Sequence, residues 1–514
     1  GDHGSATFDI DGDIRVAVST DMTTGGRDEL YTGSGADLTI GGVGADLIVS
    51  ATTDPRDARR DVVLGDNGQA TFDSAGQVSH VITRASITGG ADTITTGSGN
   101  DIVLGGQAGD IVLTHAGDDI VLGDNGQLHF NNLDTPDVSP AIYGLLRRAE
   151  TLDPSIGGVD TIGTGAGDDV AFGSNGGDTI DSGIDADIIL GDSGYATFTL
   201  FGTISEISSD LTRLEQVVSA TNIGGSDTIL TRSGDDIAIG GFATDYINMT
   251  RDPNSVGVGD SGNDILIGDN ATARFVTESS QDTISTISTT DGAGDWLYSD
   301  LGKDILIGGN ADDTIGTGMG PLGDIVLGDM GELIFATNGD GRIDNLKLDT
   351  ITSLDTAASH GGSDTITTGE GPDVVIGGNL ADQILTFGGR DFVFGDSAFV
   401  AFDPVLNHPS RMETLGFYSG GNDQISTHTG ADVVIGGFGD DIISTFGLPH
   451  RNGVNEHRAD IAVGDNAILA FNLNGTIKHI ATTDGPLFGT DVISTGNGAD
   501  IVLGGTAGDT ITTG

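Results

Sequence analysis

The chain has no cysteine in 514 residues, so neither disulfides nor thiolate metal sites can hold it together. Basic residues are scarce. Only 20 Lys and Arg stand against 77 Asp and Glu, a formal net charge of −57. That balance excludes nucleic acid as a partner, because a phosphate backbone is bound with Lys and Arg, and it disfavours anionic membrane surfaces for the same reason. Proline numbers only 11 and glycine does not recur at every third position, which excludes collagen. No run of about 18 apolar residues occurs, so no transmembrane helix or membrane insertion is expected. The opening Gly1-Asp2-His3-Gly4 shows no signal-peptide pattern. Catalytic motifs are also missing. His450 and His457 lie in HRNGVNEH, the wrong spacing for HExxH, and no GxSxG elbow has an evident His partner. The expectation is a chain that is not an enzyme.

What is abundant is glycine, 86 residues, about 17% against roughly 7% in average usage, and aspartate in phase with it. Thirty-one times an aspartate occupies one slot of a nine-residue phrase, and apolar residues recur in step with it, which argues against a disordered glycine-rich chain. The slot residues are Asp28, Asp37, Asp46 and Asp61; Asp92, Asp101, Asp110 and Asp119; Asp160, Asp169, Asp178 and Asp187; Asp227, Asp236, Asp245 and Asp264; Asp295, Asp304, Asp313 and Asp324; Asp364, Asp373, Asp382 and Asp391; Asp423, Asp432, Asp441 and Asp460; and Asp491, Asp500 and Asp509.

The phrases group in fours, in blocks at 25–66, 89–124, 157–192, 224–269, 292–329, 361–396, 420–465 and 488–514. Some fourth units are delayed by insertions, at 52–57, 251–260 and 447–456. Each full block ends in a Gly-Asp phrase followed by Phe, as in GDNGQATF (65–72), and the chain opens on the same phrase, GDHGSATF (1–8). Its aspartates, Asp2, Asp66, Asp124, Asp192, Asp269, Asp329, Asp396 and Asp465, recur on average about every 66 residues. The chain thus begins and ends inside a super-repeat, and we expect residues 1–514 to form one continuous solenoid, a segment of a longer chain. Between blocks, segments such as 467–483 and 332–352 read as β-hairpins. Residues 139–152 and 209–220 fit either a strand or a short amphipathic helix.

Nine residues suffice for a tight turn and a short strand. The apolar residue two after each aspartate (Ile94, Val103, Val112, Val121) can point into a thin core if two phrases complete one coil. Aspartates eighteen apart then stack, Asp92 on Asp110 and Asp101 on Asp119. Stacked carboxylates repel unless a cation lies between them. Glycine loops offer carbonyl oxygens beside the carboxylates, a mixed hard-oxygen set that suits Ca²⁺ better than the strictly octahedral Mg²⁺. Thirty-one stacked units allow at most about 29 interloop sites. Filled with Ca²⁺ they would bring about +58 against the chain's −57, so the implied ions are of the right number to neutralise it.

The phrases TGSGNDIVL (96–104) and GGQAGDIVL (105–113) resemble the RTX, or haemolysin-type, calcium-binding nonapeptide GGxGxDxUx. The resemblance covers all eight blocks. It implies a parallel β-roll, calcium between stacked turns, and type I secretion of an unfolded chain that orders outside a bacterium. Ala108, Ala243, Leu322, Leu380 and Ala507 replace a loop glycine, which puts those loops in question as binding sites.

The two sides of the coil differ. Odd-numbered phrases carry outward Thr or Ser, whereas even-numbered ones carry outward Ile, Val, Leu or Phe, as at Ile102, Leu104, Phe392 and Phe394. Such an apolar ladder must be covered, by the chain's own hairpins or by neighbouring chains. The expected fold is therefore all-β, a right-handed parallel β-roll (β-solenoid) with hairpin insertions. The expected function is a calcium-binding structural segment of an extracellular or cell-surface bacterial filament, stalk, giant adhesin or surface layer, associating end to end with further repeats or copies, with lateral self-association as a further option. The alternatives are an ice- or glycan-binding adhesin, or the repeat carrier region of a secreted toxin or enzyme.

Overall fold

Every nonapeptide gives one short strand, because its glycine loop leaves only about three to six residues free to extend. A computed structural model describes the chain except residues 51–58, 132–143, 199–213, 220–222, 250–261, 276–280, 288–291, 337–346, 355–360, 404, 407, 417–419, 447–457 and 484–488. The three insertions, part of both helix-or-strand segments, the turn of the 332–352 hairpin, His450 and His457 thus lie wholly or largely outside the described residues. The chain divides into two compact units. One is formed mainly by Gly1–Ile247 and the other mainly by Glu278–Gly339 and Ile343–Gly514.

In the first unit, strands of the odd phrases, such as Thr93–Thr95 and Ile111–Leu113, form one parallel sheet. Strands of the even phrases, such as Ile102–Leu104 and Ile120–Leu122, form a second. The register is eighteen residues: Val103 pairs with Val121 and Ile94 with Val112. All four are fully buried, since strand alternation sends the middle residue of each three-residue strand between the two sheets. The second unit repeats this arrangement, pairing Leu306 with Val326 in the even sheet and Ile366 with Ile384 in the odd. This is a parallel β-roll, all-β, with no helix among the described residues.

The inserted segments form a third, antiparallel layer. In the first unit Gly68–Phe72 pairs with Val78–Thr83, which pairs in turn with the next hairpin through Gly126–Phe130. In the second unit Ala467–Phe471 pairs with Ile477–Thr482 around a turn where Gly475 has φ +75°. This layer lies over the even sheet. Phe471 meets Phe392 edge-on at 6.0 Å, and the backbones of Gly68 and Gly126 pass so close to Leu64 and Leu122 that a Cβ would stand 2.0 and 2.1 Å from their methyl groups. Even strands are buried on both faces and read as continuous apolar runs for that reason. Odd strands keep one face toward solvent; Ile111 and Leu113 are exposed there. The hairpins themselves therefore cover the apolar ladder. In the two ambiguous segments, Leu146–Thr151 and Leu214–Ser219 are strands of this layer, because pairing with neighbouring hairpins outweighs local helical preference.

The glycine replacements have a visible consequence. Two residues before the aspartate of the second odd phrase, Gly44, Gly176 and Gly439 adopt φ of +136°, +143° and +136°, a region open essentially to glycine. Ala108, Ala243 and Leu380, and also Ala311, retreat to φ of +74°, +81°, +70° and +77°, the left-handed well that an L-residue reaches at about 1–2 kcal/mol. The turn survives with an altered curl. Leu380→Gly should raise stability in calcium by about 0.5–1 kcal/mol, the relieved strain being partly offset by added chain entropy. Denaturant unfolding checks this, and an unchanged or lower midpoint contradicts it.

Candidate metal sites

The slot aspartates stand in two columns, one on each side of the roll. Each aspartate's amide donates to Oδ1 of the aspartate one coil on. On the odd side of the first unit the amide of Asp28 donates to Asp46, Asp46 to Asp92, Asp92 to Asp110, Asp110 to Asp160 and Asp160 to Asp178, all at 2.7 Å. On the even side Asp37 donates to Asp61, Asp61 to Asp101, Asp101 to Asp119, Asp119 to Asp169 and Asp169 to Asp187, at 2.7–2.9 Å. The second unit does the same from Asp295 through Asp313, Asp364, Asp382, Asp423, Asp441 and Asp491 to Asp509. Its other column runs from Asp264 through Asp304, Asp324, Asp373, Asp391, Asp432 and Asp460 to Asp500. Stacking eighteen residues apart therefore brings together the pairs that spacing alone selects.

One oxygen of each carboxylate is thus used. The other is the informative one. Oδ2 of Asp92, Asp110, Asp160 and Asp178, and likewise of Asp313, Asp364, Asp382, Asp423 and Asp441, is buried and accepts no hydrogen bond. A buried carboxylate oxygen without a donor is costly. Burial accordingly drives these groups toward the neutral form. It pushes Asp92 and Asp178 up to about 7 and Asp160 to about 8. Asp110 rises to about 11, where the Asp160 carboxylate adds to burial. Asp313 and Asp382 rise well above the usual range from burial and then their column neighbours.

A third set of carboxylates joins the odd side. These are the aspartates of the Gly-Asp phrases, read from sequence only as punctuation of the super-repeat. Asp66 accepts from the amides of Gly90 at 3.0 Å and Gln107 at 2.5 Å, and Asp124 from Gly158 at 2.9 Å and Asn175 at 2.8 Å. Each clasps two successive odd loops. Gly106 (φ +119°) leaves the space: a Cβ there would stand 2.5 Å from Oδ2 of Asp66. Burial pushes Asp66 to about 8, and burial with Asp160 pushes Asp124 to about 10. The overlooked signal is a constant offset, five residues after the last slot aspartate of each full block.

The even side is built differently. Four residues after most odd slot aspartates stands a buried Thr or Ser, and in two places its hydroxyl reaches the next even aspartate. Thr386 donates to Oδ2 of Asp391 at 2.6 Å and Thr445 to Oδ2 of Asp460 at 2.7 Å. Thr96, Thr114 and Thr164 instead donate to carbonyl oxygens one coil on, at 3.4, 3.3 and 2.7 Å. Oδ2 of Asp101, Asp119 and Asp169 stays buried without a hydrogen bond, and burial raises Asp101 and pushes Asp119 and Asp169 to about 8. The matching position on the odd side is glycine, as at Gly105 and Gly123, so odd carboxylates have no such hydroxyl.

Among the described residues, no group of three or more acidic or imidazole side chains forms a metal cage. A cation here must draw on backbone oxygen as well as carboxylate. The loops supply it: the carbonyl oxygens of Gly44 and Gly99 stand 2.2 and 2.1 Å from where a Cβ of Gly90 or Gly117 would be. Paired carboxylates, spare buried oxygens and glycine carbonyls are the donor set of a hard divalent ion such as Ca²⁺. The residues fit that ion.

The family model for the RTX calcium-binding nonapeptide repeat (4 copies) matches residues 22–48, 87–121, 157–197, 223–248, 359–392, 417–445 and 488–514. The fifth block falls outside these stretches but keeps the same geometry, with the Asp295 amide on Asp313 at 2.7 Å. A comparison with curated proteins finds no match. No helix among the described residues is long and apolar enough to cross a membrane. Phrase, register, carboxylate columns and family model agree, and the chain carries the RTX calcium-binding nonapeptide repeats.

Proposed function

We propose that the chain is a calcium-rigidified structural segment of an extracellular bacterial filament, stalk, giant adhesin or surface layer. The slot aspartates are the ligands, with at most about 29 ions between stacked turns. Calcium acts here as a folding cofactor rather than a catalyst. The observation that carries this reading is the file of buried Oδ2 atoms with no donor, repeated coil after coil. Repetition of one site along a repeat array suits mechanical stiffening, because each ion ties only neighbouring coils and the gain adds along the chain. The role is tested by single-molecule extension. In millimolar calcium the chain should resist extension until coils yield one after another. In excess chelator it should extend as a compliant coil. Equal compliance in both conditions would overturn the proposal.

A further inference from the structure

The second unit contains a cavity of about 320 Å³ between the even sheet and the hairpin layer. Its floor is apolar: Ile325, Val374 and Phe392 from even strands, Leu348 and Phe402 from hairpins, all buried. Its rim carries Lys303, Arg390 and His408. This is an unusual concentration. The described residues of the second unit hold only six Lys and Arg, and two of them border this cavity.

The opening has a cause in the repeat. The residue just before each even slot aspartate lies beside the hairpin layer. In the first unit Arg60 occupies this position and fills the space, with its guanidinium 5.8 Å from the Phe130 ring and donating to the carbonyls of Asn100 at 2.9 Å and Gly144 at 3.3 Å. On four successive coils of the second unit the position reads Lys303, Gly323, Pro372 and Arg390. The two middle residues carry no side chain that could plug the gap, and a cation stands on either side. Arg390 keeps the fixed pose of its counterpart, 5.0 Å from the Phe392 ring and donating to the Gly475 carbonyl at 3.3 Å. Both ring nitrogens of His408 lie 3.0 Å from carbonyl oxygens, of Pro409 and Leu473, so two donors there favour the charged imidazolium.

We propose that this cavity binds a small organic acid, its aryl or alkyl body on the Ile325–Val374–Phe392 floor and its carboxylate at the basic rim of Lys303, Arg390 and His408. The volume lies within the range of small-molecule sites. Apolar burial supplies the affinity, and the fixed guanidinium supplies directional selection of a carboxylate. The Asp324 carboxylate also lines the cavity. It draws on the Lys303 ammonium, so a bound carboxylate shares that cation with it and Arg390 supplies the directional contact.

The test is calorimetric titration of the calcium-saturated full chain with 4-phenylbutyrate, and with the neutral 4-phenylbutanamide as control. One acid should bind per chain. The amide, and the Lys303→Gln/Arg390→Gln double variant, should each bind about tenfold or more weakly, the cost of a lost charge-assisted hydrogen bond. Lys303→Gln alone, at an exposed position, should weaken binding without changing the calcium-dependent circular dichroism. Circular dichroism of every variant in calcium separates loss of the site from loss of the fold. Equal affinity for acid and amide, no effect of Lys303→Gln in a folded chain, or no binding at millimolar acid would each overturn the proposal.

Discussion

Removing calcium at neutral pH should abolish the parallel sheets, and acidification without calcium should bring much of the β-structure back. Both results follow from the columns. Buried slot aspartates have folded-state values raised by desolvation, many of them to about 7 or 8: Asp92, Asp178, Asp423 and Asp491 at about 7, and Asp119, Asp160, Asp169 and Asp364 at about 8. The unfolded chain titrates near 3.8. A raised folded value means that the compact roll binds more protons than the open chain. Its contribution to stability is therefore complete below about pH 4 and is lost progressively as pH rises from there through the folded values of about 7 to 8. At neutral pH without metal, each column faces either proton uptake or buried charge, and the coil opens. On the proposed reading calcium takes the place of the proton: coordinated by the second carboxylate oxygen, it would remove the penalty without requiring neutral acid groups.

The measurement is far-ultraviolet circular dichroism in chelator, from about pH 8 down to about pH 4, against the same series in millimolar calcium. In chelator the β-signal should rise as pH falls. In calcium it should be high throughout. A β-spectrum of equal strength at neutral pH with and without chelator would contradict the metal reading. A chelated chain that stays unfolded in acid would contradict burial as the cause of the raised values.

Much of this architecture was legible in the sequence, since its determinants are local and periodic. Asp92, Asp101, Asp110 and Asp119 at nine-residue spacing require a two-phrase coil if carboxylates are to stack, and Val103 on Val121 follows from the same register. The calcium reading followed from charge and loop chemistry. Asp66 and Asp124 read from sequence only as punctuation of the super-repeat, because a Gly-Asp before a hairpin reads as a turn. Their task, clasping Gln107 and Asn175 some forty to fifty residues ahead, leaves no short-range pattern beyond a fixed offset. The difference between the two sides of the roll was equally hidden. Thr96 and Thr386 look like more of the outward Thr ladder, yet they turn inward at the corner and are buried at 0% exposure. The hairpin layer was foreseeable as separate hairpins; its closure into a sheet depends on pairings such as His80 with His129, which no local propensity encodes. Leu146–Thr151 shows the same limit, being a strand because its neighbours are.

Asp110→Asn should change sign with calcium, and no single substitution separates the competing effects better. Asp110 sits mid-column on the odd side. Its Oδ1 accepts the Asp92 amide and its own amide reaches Asp160, both at 2.7 Å. Asparagine retains the Oδ1 acceptor and the shape but not the charge. In chelator, the native carboxylate, pushed to about 11 by burial and then Asp160, must take up a proton when the coil closes at pH 7. That costs on the order of 4 kcal/mol. Asparagine needs no proton, so the variant's β-signal in chelator should survive to higher pH than the wild type's. In calcium the balance reverses. The gaps above and below Asp110 each lose an anionic oxygen, so one or two ions per chain should be lost and the calcium midpoint for folding should rise. Asp11→Asn removes one charge from an exposed hairpin turn and should do neither. Circular dichroism in both conditions, with bound calcium counted by equilibrium dialysis, reads the two signs directly. If Asp110→Asn weakened the fold equally with and without calcium, the aspartate would be a structural cap bonded to amides. If it strengthened the fold in both, calcium would not occupy the odd column, and the spare oxygen would mark only a buried acid that the coil tolerates.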